Sequence, residues 1–244
     1  MRKIYKNKKS GFTLYETLIT LAIIGIVSII CVGTVVSDIR RDETVIRLKK
    51  SYSVLQQAFD LAYVKYGNLS DSDVINDSED TRSLKFFDKY LKEQLKLAKD
   101  CNIMDFGDCE FSFKQLNSQE KSLDSSWVRF FLSDGTFMAL KLSTDNNDSA
   151  VSFYVATRGK RRLNVVARDV FLFDYWLKNQ SHPEYEGKIL PQGYQYPRDE
   201  LILPLNENSC YKTATGNYCG AVIMKDSWEM KYGYPWAQAR YAVK

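Results

Sequence analysis

Cysteine offers the most chemistry in this chain, and four of the five cysteines stand in two close pairs. The pairs are Cys101 with Cys109 and Cys210 with Cys219. Thiols at this spacing can close small-loop disulfides, each worth about 2–3 kcal/mol, bind zinc or remain free. Four-cysteine zinc sites usually separate paired ligands by only about two to four residues, so the longer gaps favour two local disulfides. Disulfides need an oxidising compartment, which would place them outside the cytoplasm.

Other metal and catalytic chemistry has little support in the sequence. The single histidine, His182, excludes any site that needs two histidines, and neither a GxSxG nor a GxxxxGK[ST] motif is present. Asp145 and Asp148 flank two asparagines and offer oxygen ligands for calcium, although the run lacks the spacing of an EF-hand loop and fits a polar turn better. We therefore expect no enzyme, and no cofactor beyond this weak calcium candidate.

A basic cluster follows the apolar middle of the chain. It consists of Arg158, Lys160, Arg161, Arg162 and Arg168. Such a cluster can bind DNA phosphates, contact acidic groups of a neighbouring subunit, or form a solvated loop. The net charge of +4 does not support nucleic acid, because five of the 34 basic residues lie in the first eleven positions and the remaining 29 face 30 acidic residues. Nucleic acid is therefore not expected as a partner.

A long apolar segment lies near the N-terminus. Residues 12–37 contain one charge, Glu16, and a helix needs about 20 apolar residues to cross a bilayer. The segment exceeds the roughly 7–15 apolar residues of a cleavable secretory signal, so we expect a membrane-spanning helix. Five Lys or Arg residues precede it and five follow within residues 37–51. The positive-inside rule therefore does not give its orientation.

The start of this segment follows a known signal. A basic leader ends in Gly11 and is followed by Phe12, a Thr-Leu pair and, five residues after the glycine, Glu16. This pattern resembles the class III signal of type IV prepilins and type II secretion pseudopilins. The resemblance implies that prepilin peptidase cleaves between Gly11 and Phe12 and that the new amine of Phe12 is methylated. The chain departs from the family at Tyr15, where an aliphatic residue is common, and at Gly33, where many relatives have a helix-kinking proline.

Glu16 is the charged residue that this apolar helix must accommodate. A charge at mid-bilayer costs about 2.5–3.5 kcal/mol. Together with the resemblance, this favours a pairing of Glu16 with the free amine of Phe12 in a neighbouring subunit, because a paired charge is tolerated in a dry helix bundle. The alternative is a carboxylate near the membrane interface that reaches lipid headgroups. We expect an assembly role for Glu16.

The helical pattern continues beyond the apolar segment. Residues 38–66 carry one apolar stripe at spacings of three and four, which predicts the amphipathic half of the same helix. A short coiled coil is the alternative. The stripe comprises Val45, Leu48, Tyr52, Leu55, Phe59, Ala62 and Tyr66. Apolar spacing also predicts a second helix over residues 81–99.

Strand patterns dominate the middle of the chain. Apolar runs predict strands at 127–132, 136–142, 150–156 and within 165–176. The first two flank a Ser-Asp-Gly turn and predict a hairpin. Residues 181–209 hold four of the five prolines and read as a surface loop, and a short helix is expected at 221–231. These elements predict an α+β fold, with an antiparallel sheet of three or four strands packed on the long helix, an arrangement that resembles the pilin fold.

The predicted organisation has four parts: a leader peptide (1–11), a transmembrane half-helix (12–37), an amphipathic half-helix (38–66) and an extracytoplasmic globular α+β domain (67–244). By the resemblance, the chain is a structural subunit of a type II secretion or type IV pilus filament, anchored once in the inner membrane before assembly. Its expected partners are identical or related pilin subunits, prepilin peptidase, an inner-membrane assembly platform and membrane lipid. The alternative is a minor pilin-like recognition module that binds DNA, carbohydrate or a secreted substrate.

Overall fold

The computed structural model describes residues 13–71, 73–101, 109–145, 148–160, 164–231 and 233–236. The chain forms two compact units, Met1–Arg40 and Arg41–Lys244. One helix, α1 (Leu14–Tyr66), begins in the first unit and ends in the second. The second unit therefore holds the later turns of α1 as well as the sheet, whereas the sequence alone places the start of the globular domain at residue 67.

In the first unit, α1 has no charged side chain between Leu18 and Ile29 and is apolar there except for Thr20 and Ser28. Every side chain from Thr13 to Ile29 is exposed, and most of them are aliphatic. A helix with an apolar surface all round is stable where lipid or other protein covers it. The first unit therefore presents a surface that needs such a cover.

The second unit is built on β-strands. Its described residues form β1 (Leu97–Cys101), β2 (Ser112–Lys114), β3 (Glu120–Ser122), β4 (Val128–Leu132), β5 (Phe137–Asp145), β6 (Asp148–Ala156), β7 (Val170–Lys178) and β8 (Ile189–Pro191). Six of them make one sheet in the order β1-β4-β5-β6-β7-β8, and every pairing in it is antiparallel. Strands β2 and β3 form a separate hairpin.

Short helices complete the second unit. They are α2 (Glu79–Phe86), which continues into one π-helical turn (Phe87–Leu91), α3 (Arg198–Leu201) and α4 (Cys219–Lys225). The described chain is therefore α+β, with an N-terminal helix followed by an antiparallel sheet and further helices.

The core lies between one face of the sheet and the later turns of α1. Phe59 is fully buried, stacks on Tyr175 of β7 with 3.6 Å between ring centroids, and meets Phe153 of β6 edge-on at 5.8 Å. Five of the seven members of the predicted apolar stripe are buried, while Tyr52 is half-buried and Tyr66 is exposed. The stripe thus supplies the helix side of the core.

The prediction of a helix over 81–99 was wrong at its C-terminal end. The helical part stops at the π-helical turn, and Leu97–Cys101 is β1, an edge strand that pairs with β4. Apolar residues spaced by three and four continue through this region, but they do not reveal a strand partner more than 25 residues away. Hydrogen bonds to β4, rather than local periodicity, determine the extended backbone conformation of these residues.

The sheet is also larger than the three or four strands predicted. Its other edge, β8, lies inside the proline-rich segment that was predicted as a loop, and Pro191 is tolerated there because an edge strand need not donate every backbone hydrogen bond. The helix predicted at 221–231 is α4, which ends at Lys225. Ser227 and Trp228 follow with φ of 63°, a left-handed conformation that a right-handed helix cannot include.

Candidate functional site

Glu16 lies in the first turn of α1. Its backbone N–H donates to the carbonyl oxygen of Thr13 (3.1 Å) and to Thr13 Oγ1 (3.3 Å), so Thr13 caps the helix and Glu16 is its third residue. Threonine followed three positions later by glutamate is the capping-box pattern, and the helix dipole favours an acidic side chain in the first turn. Glu16 therefore has a local role at the helix start in addition to its predicted role in assembly.

Some predicted features of this segment lie outside the described residues. They are the leader and the two processing residues, Gly11 and Phe12. The pairing of Glu16 with a neighbour's Phe12 amine therefore stays a prediction. In the part of the chain that the structure describes, no helix is both long enough and apolar enough to cross a membrane.

The structure contains both local disulfides that the cysteine spacing favours. Cys101, at the end of β1, is bonded to Cys109, and Cys210 is bonded to Cys219 at the start of α4. All four cysteines are buried. The backbone N–H of Cys210 also donates to the carbonyl oxygen of Leu201 at 2.7 Å. The second disulfide thus ties α4 to the segment that follows α3, and the zinc and free-thiol alternatives do not describe this arrangement.

The calcium candidates lie at the end of the β5–β6 hairpin. Asp145 and Asp148 are directly opposite each other in its register, and the two asparagines between them are outside the described residues. Asp148 Oδ1 accepts a hydrogen bond from the backbone N–H of Gln180 at 2.8 Å. Within the described ranges, no group of three or more His, Cys, Asp or Glu side chains is placed to hold a metal ion. Calcium binding at this pair stays a prediction.

Part of the predicted basic cluster is engaged inside the second unit. Arg158 lies 3.0 Å from Glu43 of α1, with only 13% of its side chain exposed, and Arg168 lies 3.0 Å from Asp169. Residues 161–162 are outside the description. Two arginines of the cluster thus neutralise acidic groups of their own unit, which disfavours their use as phosphate contacts.

A cleft of about 530 Å³ is lined by β7 and by residues 190–196. The sequence did not predict it. Asp174 and Trp176 of β7 line it. They alternate along the strand with Phe173 and Tyr175, whose rings contact α1, so the cleft opens on the opposite face of the sheet. The signal was a carboxylate with apolar residues on both sides in the strand sequence VFLFDYWLK.

Asp174 is the buried carboxylate of this cleft. It is 7% exposed, and its Oδ1 accepts a hydrogen bond from Ser152 Oγ of β6 at 2.7 Å. Burial raises the pKa of Asp174 to about 6, and the Ser152 hydrogen bond offsets only part of that effect. The other carboxylate oxygen has no hydrogen-bond partner among the described residues.

His182, the single histidine of the chain, lines the same cleft. Its ring stacks on Tyr185 with 4.8 Å between centroids, and its Nδ1 lies 3.2 Å from Glu184 Oε1. The side chain is 42% exposed. His182 therefore contributes to the rim of the cleft and faces Glu184 rather than Asp174.

Family models match two parts of the chain. Residues 6–32 match the prokaryotic N-terminal methylation motif, the class III signal of type IV pilins and pseudopilins, which confirms the resemblance. The motif suggests a type IV pilin-like or pseudopilin protein that is processed by prepilin peptidase, anchored in a membrane and assembled with other pilin subunits. Neither the curated proteins nor the solved structures give a match. Residues 34–237, most of the chain, match a second model, and the chain therefore belongs to the family of unknown function DUF6613.

Proposed function

We propose that this chain is a structural, non-enzymatic subunit of a type II secretion pseudopilus or a type IV pilus. The observation that carries the proposal is the methylation motif at residues 6–32. Prepilin peptidase removes the leader after Gly11, and Phe12 becomes the methylated N-terminus. The subunit then stays in the inner membrane as a single-pass protein, with its second unit outside the cytoplasm, until an assembly platform inserts it into a filament.

The surface of the first unit supports this assembly route. Lipid covers the apolar side chains of α1 before assembly, and neighbouring helices cover them afterwards. Because lipid tails are as apolar as these side chains, the transfer gains little from the hydrophobic effect. Close helix packing and the pairing of Glu16 must therefore supply the specificity of assembly.

The second unit is compatible with the same role. The later turns of α1 pack under an antiparallel sheet, and this arrangement supports the pilin-like fold that the sequence predicts. Its two disulfides suit an oxidising compartment. Both features support a second unit that is displayed outside the cytoplasm.

Two substitutions separate the two roles of Glu16. Glu16→Gln removes the charge but keeps a residue that suits the capping box, whereas Glu16→Ala removes both. If charge pairing drives assembly, both variants are processed and neither enters the filament. If helix capping is the essential role, only Glu16→Ala is defective. Glu43 is a second glutamate of α1, and it forms ion pairs within the chain. Glu43→Gln is therefore the matched control and should assemble normally.

The test uses the full chain in a host that builds the filament. N-terminal mass spectrometry of the membrane fraction should show a chain that begins at N-methylated Phe12. Quantitative blotting of sheared filaments then measures incorporation of each variant. A chain that still begins at Met1 would overturn the proposed function, while normal incorporation of Glu16→Gln would refute only the charge-pairing role.

A further inference from the structure

The cleft on the outer face of the sheet lies apart in sequence from the methylation motif on which the assembly proposal rests. The methylation motif belongs to the first unit, whereas all residues that line the cleft belong to the second. Its volume of about 530 Å³ falls within the range of roughly 300–1,000 Å³ that is usual for small-ligand pockets. The cleft is therefore large enough to act as a binding site of its own.

Aromatic rings make up much of the lining. They belong to Trp176, Tyr185, Tyr194, Tyr196 and Tyr218. Trp176 is half-buried and makes no aromatic or cation–π contact with any described residue, so no other ring or cation competes with a ligand for its indole. Lys225 covers one face of Tyr194 at 4.4 Å from the ring centroid. Tryptophan and tyrosine combine an apolar ring with a polar atom, which suits a ligand with apolar faces and polar edges.

Hydrogen-bond donors and acceptors both line the same cleft. The second carboxylate oxygen of Asp174 and the buried Oε1 of Gln192 have no hydrogen-bond partner among the described residues. The amides of Asn179 and Gln195 also line the cleft and can donate. Asp148 adds a second carboxylate, and the lining residues that the structure describes include neither lysine nor arginine. This charge distribution disfavours phosphate, sulfate and other anionic ligands.

We propose that the cleft binds a neutral carbohydrate, whose ring faces stack on Trp176 and on the face of Tyr185 opposite His182, and whose hydroxyls bond to Asp174 and Gln192. A hydroxyl both donates and accepts hydrogen bonds, so a sugar matches the mixed donors and acceptors of the lining. A cationic ligand would use only the acceptors and leave the amide donors unpaired in a half-buried site. The subunit would thus carry a recognition site on its exposed body.

The test applies the full chain, in a detergent without a sugar headgroup, to a glycan array that displays neutral and acidic oligosaccharides. Isothermal titration calorimetry then measures the affinity for a bound glycan, for tetramethylammonium and for trilysine. Trp176→Ala and Tyr185→Ala are each expected to weaken glycan binding about tenfold or more, as truncation of an aromatic anchor does. Tyr63→Ala removes an exposed tyrosine of α1 outside the cleft and is the matched control.

Neutral-glycan binding that both cleft variants weaken and the Tyr63 control retains would support the proposal. Tyr185→Ala keeps the test decisive if Trp176→Ala disturbs folding. The proposal is overturned if no neutral glycan binds, if acidic glycans or the two cationic probes are preferred, or if both cleft variants bind normally. Filament incorporation of the same variants should be unchanged, so a negative result here leaves the assembly proposal to its own test.

Discussion

Replacing Asp174 by asparagine is expected to raise the free energy of unfolding at neutral pH. Burial raises the pKa of this carboxyl from 3.8 to about 6 in the folded chain. At about 1.4 kcal/mol per pKa unit, ionising Asp174 costs the folded state about 3 kcal/mol more than it costs the unfolded chain. Asparagine keeps an oxygen that can accept the Ser152 hydrogen bond and carries no charge, so the variant avoids this penalty.

The sign of the pH dependence follows from proton binding. Between pH 4 and pH 6, at roughly the two pKa values, the folded state holds a proton on Asp174 that the unfolded state has released. The contribution of protonated Asp174 is therefore fully present below about pH 4 and is lost as the pH rises through about 6. Asp174→Asn should match the natural chain at pH 3.5 and exceed its stability by about 3 kcal/mol at pH 7.

Urea denaturation of the full chain in detergent, at half-unit steps from pH 3.5 to 7.5, measures this difference. The exposed carboxylate Asp199, 93% exposed, provides the control, and Asp199→Asn should change stability by less than about 0.5 kcal/mol. Parallel stability curves for the natural chain and Asp174→Asn would show that burial does not raise the pKa of Asp174. A direct NMR titration of its carboxyl carbon gives an independent check.

Three further outcomes follow from the packing of the second unit, and denaturant unfolding of the full chain measures each. Phe59→Ala removes the ring stacked on Tyr175 and should cost about 3–5 kcal/mol; a loss below about 1 kcal/mol would contradict the central place of this ring in the core. In Gly193→Ala, the added Cβ lies 2.5 Å from the ring of Tyr218, at a φ of +84°. The clash should lower the free energy of unfolding by about 1–3 kcal/mol, in addition to a loss of about 1–2 kcal/mol from backbone strain. Gly135→Ala, with φ of +83° and open space around the added atom, isolates that strain, so equal losses in the two variants would rule out the clash. Reducing the two disulfides should lower stability by about 2–3 kcal/mol each, and an unchanged midpoint with reductant would show that they do not constrain the unfolded chain.

Much of the molecule can be predicted from local sequence. The methylation motif is a contiguous pattern, the buried stripe of α1 repeats every three or four residues, and the Ser-Asp-Gly turn sets the β4–β5 hairpin. The two disulfides join cysteines eight and nine positions apart, close enough for spacing alone to favour them. Each of these features depends on residues that are close together in the chain, so a local sequence pattern is enough to predict them.

The rest depends on contacts between distant residues. Residues 97–101 become a strand because β4 lies beside them, and Arg158 is paired because Glu43, 115 positions earlier, faces it. The cleft gathers Asp174, Trp176 and the 190–196 segment from parts of the chain that carry no common pattern. The N-terminal signal, the long helix and the α+β composition follow from local patterns of residues. The edges of the sheet, the ion pairs and the cleft depend on the folded arrangement, because strand pairing and burial act between residues whose separation leaves no periodic signal.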